Sequence, residues 1–282
     1  MSRIKLMSNN IWYLGDNDLR WAEKGEDCSA EKRAKGFLKV YGELLPDVIG
    51  FQECTARLAD CIMKGFSAQN LPYSLLWGRD TPIVYRRDKF ELIESDFLLY
   101  PGHCPDFEGD FNNQETKSYC IAVLRKKDNG KLIVFASTHL WWKSSDNSSP
   151  DFQAYSDEAR EYQLNLLIDK IENIKVKYDC PAVIVGDFNA EYQSLAVQSA
   201  LKRGFKHAHE IAVEYSDETC GFHYCYPDGY DMFEDKKDFT YSIDHIILSG
   251  VKKGSVKRFE RYYPDYYMPL SDHFPVWIEI DL

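Results

Sequence analysis

Two runs of four apolar residues, Val48-Ile49-Gly50-Phe51 and Ala182-Val183-Ile184-Val185, constrain this chain more than any other feature. A run that short, with no polar alternation, suits a strand buried on both faces. Each run follows an amphipathic helical pattern closed by a proline. Phe37, Leu38, Tyr41, Leu44 and Leu45 precede Pro46, and Leu164, Leu167, Ile168, Ile171 and Ile174 precede Cys180-Pro181. Helix followed by buried strand demands sheets covered by helices. The segments 119–126 and 131–139 are β-rich and joined by Asp128-Asn129-Gly130, a strong signal for an antiparallel hairpin. Parallel and antiparallel signals in one chain point to mixed sheets in a layered α/β domain, not to a doubly wound parallel sheet.

The remaining elements follow the same rules. Residues 3–12 alternate Ile4 and Leu6 with Arg3 and Lys5 and read as a strand. Helices are expected over 29–45 and 157–177, in a short stretch with Leu58, Cys61 and Ile62 on one face, and over 194–203 with Gly204 as its stop. Residues 82–99 read as a hairpin turning near Arg87-Asp88, and the polar, turn-rich 100–117 as a long surface loop. Strands are expected at 240–248 and 273–281. No linker-like segment divides the chain, so a single domain over 1–282 is expected.

The net charge of −11 argues against a protein that coats duplex nucleic acid. The basic dipeptides, such as Arg86-Arg87 and Lys252-Lys253, sit mostly at turns. No run reaches 18 apolar residues, so no membrane span is expected, and the N-terminal stretch has no apolar leader core. The eight cysteines are scattered; Cys220 and Cys225 lack a second pair at zinc spacing. Free thiols in a reducing, cytoplasmic setting are the expectation.

The chemistry-bearing residues gather at the expected strand ends. Glu53 ends one strand, Thr138-His139-Leu140 another and Gly186-Asp187-Phe188-Asn189 a third. Asp244-His245 lies in the 240–248 strand, and Ser271-Asp272-His273 opens the last. Each fragment alone has an ordinary explanation as a cap, a turn or a solvated carboxylate. The set, in this order, does not.

With these motifs the chain resembles the endonuclease/exonuclease/phosphatase superfamily of metal-dependent phosphoesterases, which includes deoxyribonuclease I, deadenylases, neutral sphingomyelinases and inositol polyphosphate phosphatases. Asn10-Ile11-Trp12, Gln52-Glu53, Thr138-His139-Leu140, Gly186-Asp187-Phe188-Asn189, Ile243-Asp244-His245-Ile246 and Ser271-Asp272-His273 carry the resemblance. His245 stands where a tyrosine is common in the family. The resemblance implies a four-layer sandwich of two packed mixed sheets flanked by helices. It implies Mg²⁺ (or Mn²⁺) near Glu53, with Asn10 and Asp272 beside it. It makes Asp187 the base for a water and Asn189 its positioning partner. It makes His273 and His139 donors to the phosphoryl group, and Asp244 the partner of His273. Arg160 and Gln163 fit an Arg-then-Gln feature of the family, so Arg160 is a candidate phosphate contact and, equally, a helix-surface ion pair.

This set of residues suits the reaction. A phosphodiester repels hydroxide, and a divalent cation held by hard oxygen ligands offsets that charge. For the substrate, the aromatics are the guide. Trp141-Trp142 follow His139, Tyr262, Tyr263, Tyr266 and Tyr267 precede Asp272, and Phe222, Tyr224, Tyr226 and Tyr230 precede Asp244. If the strand ends converge, these rings surround the mouth and can stack a base or sugar. A phosphate-bearing small molecule, nucleotide or single-stranded nucleic-acid end is the expected substrate. The alternatives are a sphingomyelinase- or inositol-phosphatase-like headgroup phosphoesterase, and a phospho-ligand binding module. The polar 143–149 segment counts against membrane insertion next to Trp142. The chain lacks the Gly-Asp-X-His and Gly-Asn-His-Glu motifs of a calcineurin-like phosphatase.

Overall fold

The computed structural model describes residues 3–282 except 16, 17, 24, 26, 216–241 and 268. In chain order the elements are β1 (Arg3–Asn10), α1 (Leu19–Ala22), α2 (Ala30–Leu44), β2 (Val48–Gln52), α3 (Ala56–Ala68), β3 (Tyr73–Leu76), β4 (Ile83–Arg86), β5 (Phe90–Leu99), β6 (Ser118–Lys126) and β7 (Leu132–His139). Then come α4 (Ser156–Tyr178), β8 (Ala182–Asp187), α5 (Leu195–Lys202), β9 (Lys206–His207), α6 (Ala208–Ile211), β10 (Glu214–Tyr215), β11 (Asp244–Ser249), β12 (Val256–Arg261), a 3-10 turn at Asp265–Tyr267, and β13 (Val276–Asp281).

The strands form two mixed sheets. One runs β10-β12-β13-β1-β2-β4-β3 and the other β5-β6-β7-β8-β11-β9. Each contains one long parallel pair, β1 with β2 and β7 with β8, set among antiparallel neighbours. The sheets pack face to face through Leu6, Val48, Phe135, Val183, Val185 and Ile278. Helices α2 and α3 cover the outer face of the first sheet through Phe37, Tyr41 and Phe66. Helices α4 and α5 cover the second through Leu167, Ile171 and Val197. This is the four-layer α/β sandwich.

The layering explains the apolar runs. Along β8, Ala182 and Ile184 meet the helix layer while Val183 and Val185 meet the other sheet, so no position is left for a polar residue. Along β2, Ile49 and Phe51 face the helices and Val48 faces the inter-sheet core. Gly50 shares that inward face. A Cβ there would lie 2.5 Å from Val185 Cγ2 and 2.9 Å from Ser137 Cβ, so only glycine lets the sheets approach at this point. Helix α2 starts where the Ser29 hydroxyl accepts from the Lys32 N–H, and it stops at Leu45 in left-handed geometry before Pro46.

The 82–99 segment is not a hairpin. β4 pairs with β2 and β3 in the first sheet, whereas β5 pairs with β6 in the second, Phe90 opposite Lys126. The turn at 87–89 hands the chain from one sheet to the other, and Phe90 plugs into the core between them. Two β-rich runs flanking a turn look alike whether the strands pair or part. The 100–117 segment is also not a simple surface loop. Phe111, Asn112 and Lys117 are buried. The Asn112 amide donates to the carbonyls of Tyr100 (2.7 Å) and Lys117 (2.9 Å), and its oxygen accepts the Lys117 N–H at 2.8 Å. That clamp aims Lys117 inward. Strands β3, β9, β10 and β12 are not marked in the sequence; β9 and β10 have two residues each, too few to show a pattern. The six described cysteines are free. Among the described residues no helix is long and apolar enough to cross a membrane.

Candidate active site

The parallel pairs β1–β2 and β7–β8 end side by side, and Glu53, His139 and Asp187 at their ends line a cleft of about 850 Å³. The sheets are laced together beneath it. The Gln52 amide donates to the Ser137 hydroxyl (3.0 Å), which donates to the Phe51 carbonyl (2.8 Å). Above this tie, the Asn10 amide donates both to Glu53 Oε1 (3.1 Å) and to Asp187 Oδ2 (3.0 Å), joining the two sheets at the site itself. Glu53 and Asn189 sit at φ 57° and 50°. Such geometry is tolerable for asparagine and unfavourable for glutamate, and strain of this kind collects at functional sites. It turns the Glu53 carboxylate back toward the Tyr13 N–H, which donates at 2.8 Å.

Two histidines face Asp187 from opposite partners. His139 Nδ1 meets Asp80 Oδ2 at 2.7 Å, and His273 Nδ1 meets Asp244 Oδ2 at 2.8 Å. Their Nε2 atoms lie 3.5 and 3.7 Å from the same Asp187 Oδ2. The other Asp187 oxygen accepts the Asn189 N–H at 2.8 Å. The Lys117 Nζ lies 2.6 Å from His139 Nε2. Ser271 ties the last strand to the first, donating from its hydroxyl to the Asn10 carbonyl at 2.7 Å.

These contacts set the charges. Burial alone would raise Glu53, but His139, Lys117 and His273 outweigh it and bring its pKa down to about 2. Burial would likewise lower His273. Asp244, Asp187 and Asp272 around it prevail and hold it well above the usual histidine value, so it is charged at neutral pH. Burial pushes Asp244 up to about 6, which leaves the pair ionised at pH 7. Burial also lowers Lys117, against the pull of Asp80, Glu53 and Asp187.

The donor set fits a hard divalent cation. One oxygen, one nitrogen and one oxygen of Glu53, His139 and Asp187 lie within 4.8 Å of one another. Both ring nitrogens of His139 are already engaged by Asp80 and Lys117, so the carboxylates are the better ligands. Asp272 adds a telling atom. Its Oδ1 is buried and accepts no hydrogen bond, and burial raises its pKa to about 7. A buried carboxylate oxygen without a donor is the arrangement a cation would complete.

Of the residues singled out from sequence, Glu53, His139, Asp187, Asn189, Asp272, His273 and Trp142 line the cleft. Asn10 and Asp244 stand directly behind, bonded to lining residues. Arg160 and Trp141 do not reach it. Trp141 is 1% exposed and packs edge-on to Phe111. The Arg160 guanidinium donates to the carbonyls of Trp141 (3.1 Å) and Lys143 (2.7 Å) and pairs with Asp157. Gln163 brackets the same loop, accepting the Trp141 N–H and donating to the Phe111 carbonyl. The Arg160–Gln163 feature therefore holds the segment after His139. None of Tyr262, Tyr263, Tyr266 and Tyr267 lines the cleft. Tyr262 and Tyr266 donate to Glu43, and Tyr267 donates to Asn9 from the interior. Phe222, Tyr224, Tyr226, Tyr230, Cys220 and Cys225 lie outside the described residues. Asp80 and Lys117 were not anticipated. Asp80 lies in a loop and Lys117 at the end of another, and neither stands in a motif.

Comparison with known proteins agrees with the four-layer fold. No curated protein matches the chain in sequence. Among solved structures, an endonuclease/exonuclease/phosphatase family protein from Bacteroides thetaiotaomicron superposes with a TM-score of 0.74 at 20% identity, over 100% of this chain and 99% of that one. The mannosyl-6-phosphatase of B. thetaiotaomicron VPI-5482 gives 0.75 at 19% identity, over 99% and 100%. D. rerio TDP2 complexed with a single-strand DNA product gives 0.66 at 17%, over the whole of both chains. At these identities the likeness is one of fold. The sequence itself matches the description of a single family over residues 10–273, and the chain belongs to that Endonuclease/Exonuclease/phosphatase family.

Proposed function

We propose that this chain hydrolyses a phosphoester by attack of an activated water, with Mg²⁺ (or Mn²⁺) bound at Glu53 and Asp272 beside Asn10. Family membership makes it a hydrolase of phosphoester bonds. The observation that carries the residue roles is the convergence of two carboxylate-backed histidines on one oxygen of Asp187. A divalent cation held by these carboxylates would offset the charge of the phosphoryl group and polarise its oxygen. Asp187 is oriented by the Asn10 amide and the Asn189 N–H and takes the proton of the water. His273, kept charged by Asp244, donates to a phosphoryl oxygen as negative charge develops there. His139, fixed by Asp80 through Nδ1, holds the Lys117 ammonium at Nε2 and passes a proton from it to the leaving oxygen, leaving Lys117 neutral. Asn189 keeps one amide hydrogen on the Leu140 carbonyl and offers the cleft the other.

The substrate carries a phosphate on a small molecule, a nucleotide or a single-stranded nucleic-acid end. The neighbours named above supply both kinds, a sugar phosphate and a DNA end. The test is metal-dependent turnover of mono- and bis-nitrophenyl phosphate. Asp187→Ala and His273→Ala should each lower it by about 10²-fold or more, as loss of a general base or a charge-stabilising donor does. Full turnover in both folded variants would refute the assignment.

A further inference from the structure

The cleft is polar on its floor and different in kind on its walls. Tyr13 follows β1 of the first sheet and is 66% exposed; Trp142 follows β7 of the second and is 40% exposed. The cleft is thus flanked by one aromatic ring from each sheet. Gln114 and Thr116, a neutral amide and a neutral hydroxyl, line the same cleft. Among the described lining residues Lys117 is the one lysine or arginine, and its ammonium is directed at His139. Two cations lie just outside the lining and are engaged there. Arg79 pairs with Glu115 at 3.8 Å, and Lys143 sits 5.8 Å from the Trp142 ring centre.

A nucleic-acid strand brings a phosphate with every residue, and proteins that hold one track it with lysines and arginines or a basic groove. Beyond the catalytic floor these walls provide no free cation among the described residues for a second phosphate. They do provide what a sugar needs, an aromatic face for its C–H groups and neutral partners for its hydroxyls. Resting on the phosphoesterase reading above, we propose that the cleft selects a single phosphoryl group carried on a neutral sugar ring. Trp142 and Tyr13 flank the ring, and Gln114 and Thr116 bond its hydroxyls. A free sugar phosphate and a nucleoside monophosphate share this chemistry.

The test compares kcat/KM for a hexose 6-phosphate, a nucleoside 5′-monophosphate, glycerol phosphate and a 5′-phosphorylated single-stranded oligonucleotide, with nitrophenyl phosphate as reference. At least one of the two ring-bearing monophosphates should exceed glycerol phosphate and the oligonucleotide by about tenfold, the scale of one aromatic stacking contact. Whichever is faster identifies a bare or a base-bearing sugar. In Trp142→Ala and Tyr13→Ala the ratio of ring-bearing to glycerol substrate should fall several-fold, through KM. An oligonucleotide turned over as well as the ring-bearing monophosphates, or a ratio unchanged in both variants, overturns the inference. Turnover of nitrophenyl phosphate without any ring preference defeats this inference alone. No metal-dependent turnover of any substrate defeats the phosphoesterase reading beneath it.

Discussion

Replacing His245 should make the protein less sensitive to acid, by an amount the geometry sets. The His209 N–H points at His207 Nδ1 (3.3 Å), His207 Nε2 at His245 Nδ1 (3.1 Å), and His245 Nε2 at the Ala190 carbonyl (2.7 Å). A carbonyl only accepts, so His245 carries its hydrogen on Nε2. Its Nδ1 then accepts from His207, whose own Nδ1 accepts from His209. Both rings are neutral. A proton on His245 Nδ1 would set two N–H groups against each other in a buried layer. Burial accordingly brings His245 down to about 4 and lowers His207 well below the usual histidine range. A depressed histidine pKa means that stability is full above about pH 6.5 and is lost as pH falls from there toward 4. For His245 alone the loss between pH 7.5 and 5.0 is about 2 kcal/mol. Taking ~2.1 cal/mol/K for each of the 282 residues, that is about 3 °C in Tm. Urea unfolding of wild type and His245→Phe, each at both pH values, reads the effect of the His245–His207 pair, because titrating groups out of contact with that pair cancel in the difference. The penalty of the substitution should shrink by about 2 kcal/mol at pH 5.0. The same penalty at both pH values would refute the neutral-chain reasoning.

Two further expectations concern the cleft. Lys117→Met removes a buried charged donor from His139. It should lower kcat/KM by about 10²-fold in the nitrophenyl phosphate assay and also lower Tm, since Asp80, Glu53 and Asp187 lose the buried cation they share. Mg²⁺ at 100 times its Kd should stabilise the protein by about 2.7 kcal/mol, a Tm gain of about 4–5 °C. Because a proton competes for Asp272, whose pKa lies at about 7, that gain should be larger at pH 8 than at pH 6 for one fixed Mg²⁺ concentration. It should be lost in Glu53→Gln, and an equal gain in that variant's thermal scan would remove Glu53 from the site.

What could be read from the sequence was what local pattern determines. The 182–187 strand with Gly-Asp-Phe-Asn, the 118–139 hairpin and the Ser-Asp-His before the last strand each carry their own signature, a buried run, an Asn-Gly turn or a motif. Asp80 and Lys117 carry none. Each reaches His139 only because the sandwich closes, Asp80 from the β3–β4 connection and Lys117 from a loop that Asn112 clamps. The turn at 87–89 reads as a hairpin for the same reason, since the sheet that Phe90 joins is decided by the partner strand and not by the turn. Arg160 shows the opposite limit. Its position in the chain suits a phosphate contact, yet its guanidinium is spent on the backbone of the segment after His139. Tyr267, expected at the mouth, lies among α2 and the 3-10 turn because its ring completes the Phe37–Tyr41 layer.

The site exists because each sheet is built around one parallel pair. In a parallel pair both strands end at the same edge, whereas an antiparallel pair sends them to opposite edges. β1 and β2 therefore deliver Asn10 and Glu53 together, and β7 and β8 deliver His139 and Asp187 together, His139 directly opposite Asp187 in register. Gly50 lets these pairs close on one another, and Gln52 and Ser137 lock them one residue below the carboxylates. β11, antiparallel to β8, begins where β8 ends, so Asp244 starts its strand opposite Asp187 and catches His273 as the chain enters β13. Four carboxylates and an amide meet on a frame whose own packing holds them in place. The repulsion among them opposes no flexible loop but the closure of two sheets, and that is why Asp272 can be left with a buried oxygen that accepts no hydrogen bond. The sandwich core provides the rigidity, and a divalent cation at these carboxylates would offset the charge.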